Sequence, residues 1–333
     1  MDTPIKKVLI TGITGFVGSH LAEYILANHP EVQILGLARW RSPKENIVPI
    51  LKKIKLIYGD LEDLPSLNAL FTAEKPDIVF HLAAQSYVDF SFIAPIMTLE
   101  NNVIGTANLL EAVRTLKLAT GYDPVIHICS SSEVYGQVKE NEVPITEMNT
   151  FRPASPYAVS KTGEDMLALQ YWLSWKIKTI RTRMFTHTGP RRGEVFAESN
   201  FAKQVAAIEA GAQPPVVKVG NLNSVRTFAD VRDTVRGYWL LATKCTPGEV
   251  YNIGGVETMT IGEMLNKLIA MSTVKDIKIE VDQARLRPSD VTLQIPSIDK
   301  FVKETNWKPE ISFDQTLLDM LNYWREFYKK QPK

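Results

Sequence analysis

The sequence predicts an α/β protein: a doubly wound parallel sheet followed by a smaller α/β C-terminal unit. Strand and helix signals alternate up to residue 185, the pattern that winds a parallel sheet with helices on both faces. The first strand runs into a glycine turn and then a helix, an arrangement that receives phosphate groups in such sheets. After residue 185 the apolar runs become short and irregular. The expected division is 1–185 for the sheet domain, with some later strands returning to it, and 186–333 mainly for a second domain.

The elements follow in order. Residues 8–10 are an apolar run of strand type. Gly12, Gly15 and Gly18 come next, and Phe16, Val17, Leu21, Ala22, Ile25 and Leu26 fall at helical spacing. Glycine permits a tight turn and a close backbone approach to a ligand. The helix start adds unpaired N–H groups and a positive dipole end. Gly12, Thr14, Gly15, Phe16, Val17 and Gly18 are therefore the expected phosphate-side contacts. Further strands are expected at 32–37, 55–58, 77–82, 124–129 and 177–183, with helices at 61–71 and 99–118. In the second half, helices are expected at 201–210, 261–271 and 316–328, and short strands at 216–219 and 250–253.

Composition narrows the function classes. With 45% hydrophobic and 23% charged residues the chain is of ordinary globular type. A net charge of +1 gives no nucleic-acid or membrane footprint, so neither partner is expected. Cys129 and Cys245 are far apart, and the five histidines lack ligand-like spacing, so neither a disulfide framework nor a metal site is expected. No signal-peptide pattern or membrane-length apolar run is present, and a cytoplasmic protein is the expectation.

Ligands on such sheets lie at the carboxyl ends of the strands, and these ends carry the informative residues. After the second strand an acid would hold a ribose 2′-hydroxyl. The sequence instead has Arg39 and Arg41, which suit a 2′-phosphate, so NADP is expected over NAD. Asp60 and Leu61 follow the third strand, and Leu82, Ala83 and Ala84 close the fourth; all of these residues are expected at the cofactor. The fifth is followed by Ser130-Ser131-Ser132-Glu133. Tyr157 and Lys161 then stand one turn apart on a single helix face. An ammonium near a phenol favours the phenolate, so a lowered Tyr157 pKa is expected and a proton exchange with a sugar hydroxyl with it. Three basic elements follow: Arg191-Arg192, Arg226, and Arg285 with Arg287. Arginine forks suit a pyrophosphate.

Together the GITGFVG turn, Ser131 and the Tyr157/Lys161 pair resemble the extended short-chain dehydrogenase/reductases that modify nucleotide sugars. That implies a Rossmann-type sheet. The stretches AAQSYVDFSFIAP, SSSEVYG and HTGPRRGEVF look like GDP-mannose 4,6-dehydratases. NFAKQVAAIEAG, VGNLNSVRTFADVRDTVRGYWLL and RLRPSDV look like the sister enzyme, GDP-4-keto-6-deoxymannose reductase.

The resemblance implies catalytic roles for Ser131, Glu133, Tyr157 and Lys161, with Lys161 also on the cofactor ribose and Glu133 as the base at sugar C5. It implies a GDP-sugar substrate held by Ser86, Ser132, Thr186, Arg192, Asn221, Arg226 and Arg287, with Asp290 on the nucleotide ribose. It also implies a homodimer or homotetramer. The chain departs from the dehydratase pattern at Thr186, where an asparagine is usual, and at Thr227-Phe228, where Asp-Trp is usual. The leading expectation is a GDP-mannose 4,6-dehydratase using NADP. The alternatives are the 4-keto reductase, a dehydratase of a related sugar such as a GDP-heptose, and a non-catalytic dinucleotide-binding regulator.

Overall fold

The computed structural model describes residues 4–286 and 291–330. Six strands come first: β1 (Lys7–Thr11), β2 (Gln33–Ala38), β3 (Lys55–Tyr58), β4 (Ile78–His81), β5 (Val125–Ser131) and β6 (Lys178–Met184). The chain then leaves the sheet for β7 (His187–Thr188), β8 (Val216–Val219) and β9 (Val225–Asp230) before β10 (Val250–Ile253) returns to it. Outside the main sheet follow β11 (Glu257–Thr260), β12 (Lys278–Val281) and β13 (Leu293–Gln294). The main sheet has the order β10-β6-β5-β4-β1-β2-β3, with every neighbouring pair parallel. The winding reverses at β1, which has β2 on one side and β4 on the other, so a crevice opens at their carboxyl ends.

The helices are α1 (Phe16–Asn28), α2 (Leu64–Glu74), α3 (Val88–Ile93), α4 (Pro95–Leu99), α5 (Gly105–Thr120), α6 (Pro156–Trp175), α7 (Ala197–Glu209), α8 (Val231–Lys244), α9 (Ile261–Ala270), α10 (Asp299–Thr305) and α11 (Phe313–Lys329). Side chains alternate across the sheet. Val8, Ile10 and Phe80 therefore pack with α1 and α8 on one face, while Leu9, Val79 and Ile126 pack with α2 and α5 on the other. Burial on both faces explains why these strands read as unbroken apolar runs.

Two of the differences from the expectation bear on the main sheet and its site. The stretch expected as one helix over 99–118 is α4, a π-helical turn at Glu100–Ile104, and α5. Buried Asn102 lies in that turn. Its side chain accepts from Gln85 N at 2.8 Å and donates to Ser160 Oγ on α6 at 2.8 Å. The wide turn thus ties the loop after β4 to the helix that carries Tyr157. The second difference is α8, which the expected elements omit. Val231, Val235, Tyr238, Trp239 and Ala242 form its buried stripe, and Asp230 caps it by accepting from Arg232 N at 2.7 Å. Charged residues interleaved along this segment mask a period that is nonetheless helical.

The smaller unit is centred on β9, which pairs with β11, β13 and β7, while β8 and β12 form a separate ribbon. Phe201 and Val205 of α7, Met264 and Leu268 of α9, and Leu317 and Trp324 of α11 make its core. No described helix is long and apolar enough to cross a membrane.

Candidate active site

A cleft of about 1140 Å³ runs along the carboxyl ends of the main-sheet strands and under α7, β9 and β13. That exceeds the volume one drug-sized ligand ordinarily needs, so it has room for a dinucleotide and a second molecule together.

At one end the walls are backbone. Gly12 takes φ +71°, and a Cβ there would lie 2.9 Å from Ala83 Cα. Only glycine therefore lets the turn approach the end of β4. A Cβ on Gly18 would collide with the Gly12 carbonyl, so that glycine serves helix-on-turn packing. At Gly15 an added Cβ would meet only Gly12 O, at 3.2 Å, leaving its other side open. Gly15 also precedes α1 as its N-cap, and no side chain caps that helix. The first-turn N–H groups of Phe16, Val17 and Gly18, all lining the cleft, therefore have the geometry a phosphate needs.

A buried network fixes this turn. Leu82 N and Ala83 N each donate to Thr11 Oγ1 at 3.1 Å. Thr11 Oγ1 meets His81 Nδ1 at 2.9 Å, and His81 Nε2 meets Thr106 Oγ1 at 2.9 Å. Thr106 donates onward to Asn102 O at 2.6 Å, so His81 carries its proton on Nε2 and accepts at Nδ1. Burial, aided by the Lys161 charge, holds His81 down to about 3. It is a neutral connector.

Along the same end, Thr14, Asp60, Leu61, Leu82, Ala83 and Ala84 line the cleft. Exposed Arg39, at the end of β2, lines it too. Arg41 stands outside the lining, its guanidinium 4.7 Å from the Trp40 ring centroid.

Ser131, Glu133, Tyr157 and Lys161 converge in the middle of the cleft. Ser155 caps α6 by accepting from Ala158 N at 3.0 Å, and Pro156 opens the helix. This fixes where Tyr157 leaves the backbone. Lys161 Nζ lies 6.0 Å from the Tyr157 ring centroid and donates to Cys129 O at 2.9 Å and to Glu164 Oε2 at 3.0 Å.

The lowered phenol expected at Tyr157 is corrected here. Burial raises Tyr157 above its ordinary value, against the opposing pull of Lys161 and a hydrogen bond from Ser131. The buried Glu164 carboxylate shares the ammonium and adds to the rise. Burial also opposes charge on Lys161, but Glu164 and Tyr157 hold its proton affinity above the ordinary value. The pair therefore rests as phenol and ammonium, and Tyr157 must ionise before it can accept a proton.

The other end of the cleft is built from side chains. Arg192 stacks its guanidinium 3.5 Å from the Phe196 centroid and 5.3 Å from that of Phe16. Its Nε has no hydrogen-bond partner among the described residues, and burial lowers its pKa. Arg191, the neighbouring residue in the motif, turns away: its Nη1 donates to Glu23 Oε1 at 3.0 Å and to Asn46 O at 3.1 Å. It braces α1. Buried Arg226, on β9, donates to Val225 O at 3.1 Å and also to Val291 O. Ser86, Ser132, Thr186 and Asn221 line the cleft. Arg287 and Asp290 lie outside the described residues.

Three residues in or behind the cleft, His187, Gln294 and Glu164, have no role assigned by the sequence reading. His187 lies nearly parallel to Phe16, 9° between planes and 5.9 Å between centroids. Its Nδ1 meets Phe185 O at 3.1 Å, and its Nε2 has no partner among the described residues. Burial, with Arg192 nearby, holds His187 down to about 3, so Nε2 offers an acceptor. Gln294 bridges Ser132 and Glu133, and Glu164 pairs with Lys161. Only Glu164, at i+3 from Lys161, has a spacing that could have flagged it. Among the described residues no group of three or more His, Cys, Asp or Glu side chains could hold a metal.

Comparison with known proteins agrees with this architecture. The family profile described as GDP-mannose 4,6 dehydratase matches residues 9–320. The GDP-6-deoxy-D-mannose reductase of Pseudomonas aeruginosa is 32% identical, covering 98% of this chain and 99% of that protein. The GDP-mannose 4,6-dehydratase of Vibrio cholerae is also 32% identical, covering 95% and 92%. The solved structure of RMD from Pseudomonas aeruginosa complexed with NADPH superposes with a TM-score of 0.83 at 33% identity, over 97% of this chain and 99% of that one. With a glycine turn, a Ser-Tyr-Lys centre and a profile spanning nearly its whole length, the chain belongs to the GDP-mannose 4,6 dehydratase family.

Proposed function

We propose that this protein is an NADP-dependent GDP-mannose 4,6-dehydratase, giving the GDP-4-keto-6-deoxy sugar. The observation that carries this reading is the convergence of Glu133 with Ser131, Tyr157 and Lys161 in one cleft. A carboxylate beside an oxidising centre supplies the C5 base that elimination requires and simple ketone reduction does not.

The glycine turn and the uncapped start of α1 fit a dinucleotide pyrophosphate. A nicotinamide dinucleotide would be held by that turn, by Asp60 and Leu61, and by residues 82–84; NADP over NAD rests on Arg39, which lines the cleft, with Arg41 standing outside it. When bound, the dinucleotide would supply the hydride acceptor for C4 and the hydride donor for C6, with no net consumption. Tyr157 must first give up its own proton, and Lys161 stabilises the phenolate so formed; the phenolate then takes the proton of the C4 hydroxyl and returns to phenol, while Ser131 hydrogen-bonds the C4 oxygen. The C4 ketone acidifies C5–H. Glu133 takes that proton and hands it to the departing C6 hydroxyl, which leaves as water; C5 regains a proton from solvent when hydride is returned to C6. Arg192 and Arg226 suit the GDP diphosphate, gripped from a second domain made mainly of residues after 186. Exposed Ile93, Ile96, Ile104 and Leu173, at 79, 63, 52 and 60%, give α3, α4, the π turn and α6 an apolar face for a second copy of the chain.

The test is incubation of GDP-mannose with the enzyme in heavy water. A GDP-4-keto-6-deoxy product carrying solvent deuterium at C5, with no net nicotinamide consumption, supports the proposal. The 32% identity to the Pseudomonas reductase favours a second reading, reduction of a 4-keto-6-deoxy sugar. That reading requires no product from GDP-mannose and stoichiometric NADPH loss with the keto sugar.

A further inference from the structure

Gln294 is the last residue of β13 and lines the cleft at 2% exposure. Its Oε1 accepts from Ser132 Oγ at 3.0 Å, and its Nε2 donates to Glu133 Oε1 at 3.3 Å. The two hydrogen bonds fix the direction of the amide. A carboxylate only accepts, so the NH₂ must face it and the carbonyl is left for the Ser132 hydroxyl.

The backbone bearing Gln294 is held from three directions. Val225 N on β9 donates to Thr292 O at 2.7 Å. Thr292 N donates to Gln137 Oε1 at 2.8 Å. Ile145 N donates to Ile295 O at 2.7 Å, and Ser297 N to Ile145 O at 2.8 Å. In the β13–β9 register Gln294 stands opposite Arg226. One short strand thus meets both the carboxylate at the end of β5 and the strand that carries the diphosphate-side arginine. A side chain this buried, on an anchored backbone, holds its partner more narrowly than a loop residue would.

We propose that Gln294 is a positioning residue for Glu133. It holds the carboxylate in the orientation that draws the C5 proton, and it ties that orientation to the β9–β13 sheet bearing Arg226. This rests on the dehydratase reading above. With Oε1 engaged, rotation about the last torsion of Glu133 is restrained, which keeps the base on the line of the C5–H bond.

The experiment compares wild type with Gln294→Met, which keeps length and removes both hydrogen bonds, using GDP-mannose deuterated at C4 or at C5. Melting temperature and GDP binding serve as controls for folding. In a folded variant, kcat should fall about 10- to 100-fold, the scale for a misplaced reacting group, while KM stays within about threefold. The C5 isotope effect should grow and the C4 effect shrink, because proton removal becomes limiting. Unchanged turnover, or lost turnover with both isotope effects unaltered, overturns the inference.

Should Gln294→Met fail to fold, Gln294→Glu retains the volume and sets a second carboxylate against Glu133. The acid limb of kcat should then move up by about one pH unit, and an unmoved limb overturns the inference. Failure of the underlying reading looks different. Wild type that makes no keto product from GDP-mannose, or a Glu133→Gln variant with full turnover, rejects the dehydratase assignment and this inference with it.

Discussion

The two ends of the cleft are made of different materials. The glycine-turn end is backbone: the Gly12 turn, the start of α1 with no side-chain cap among the described residues, and the Leu82 and Ala83 N–H groups bound to Thr11. The other end is side chain: Arg192 over Phe196, Arg226 on β9, and the Ser132-Gln294-Glu133 bridge. A backbone site tolerates few residue types, because what matters is the absence of a Cβ or the start of a helix. A side-chain site can be redrawn residue by residue while the strands stay put. Of the departures, Thr186 lines the side-chain half, whereas Thr227 and Phe228 follow Arg226 on β9, with Phe228 packed against Phe313 in the core of the smaller unit.

The contrast can be broken most sharply in the middle, where the halves meet. Tyr157→Phe should lower turnover about 100- to 10,000-fold with GDP-sugar affinity nearly intact, read by steady-state kinetics and calorimetric binding. Near-normal turnover would remove Tyr157 from the acid–base role. Glu133→Gln should cost a similar factor but leave a different trace. The 4-keto hexose should accumulate without dehydration, and mass spectrometry of the quenched nucleotide sugar would detect it.

At the backbone end, Gly12→Ala meets a 2.9 Å approach and a left-handed φ. The expected cost is about 2 kcal/mol of stability, with dinucleotide affinity lost alongside, measured by denaturant melts and cofactor titration. The same change at Gly121, where φ is +75° but a Cβ would meet nothing within 4 Å, isolates the conformational part of that cost.

The pH dependence comes next. His81 and His127 are buried, and burial holds both down to about 3. Folded-state values below the unfolded value of 6.5 mean that the unfolded chain binds more protons in acid. Their contribution is present above pH 6.5 and is lost as pH falls from there towards 3. Each should remove about 2 kcal/mol between neutrality and pH 5, visible as a falling Tm. A flat Tm over that interval would contradict neutral burial.

The smallest effect sharpens the cofactor end. Arg39→Ala should weaken NADP about tenfold while sparing NAD, and Arg41→Ala should do less, because only Arg39 lines the cleft. Equal losses for both cofactors would end the 2′-phosphate assignment.

The same contrast explains what could be read in advance. Strands β1 to β6 and the turn at Gly12 are legible because each is settled by neighbours in sequence. Tyr157 and Lys161 are legible because one helical turn joins them. The direction of the Tyr157 shift was not, since it depends on burial and on Glu164, and neither is visible in a Tyr-xxx-Lys spacing. Gln294 was illegible for a stronger reason: its meaning lies in Ser132 and Glu133, more than 150 residues away. Helix α8 was missed although its buried stripe is regular, because Arg232, Asp233 and Arg236 break the apolar run.

The path of β10 has a consequence for how the molecule can be divided. The chain leaves the main sheet after β6, builds part of the smaller unit, and comes back with α8 and β10 before leaving again. A fragment ending near residue 185 would carry every glycine-turn residue and the Ser-Tyr-Lys centre. It would also carry a bare β6 edge, an open ladder that invites pairing with another chain. The α1 face normally covered by Val235, Tyr238 and Trp239 would be stripped to water. The segment that resembles an independent nucleotide-binding module therefore depends on α8 and β10 from beyond its own boundary to close its sheet and cover α1.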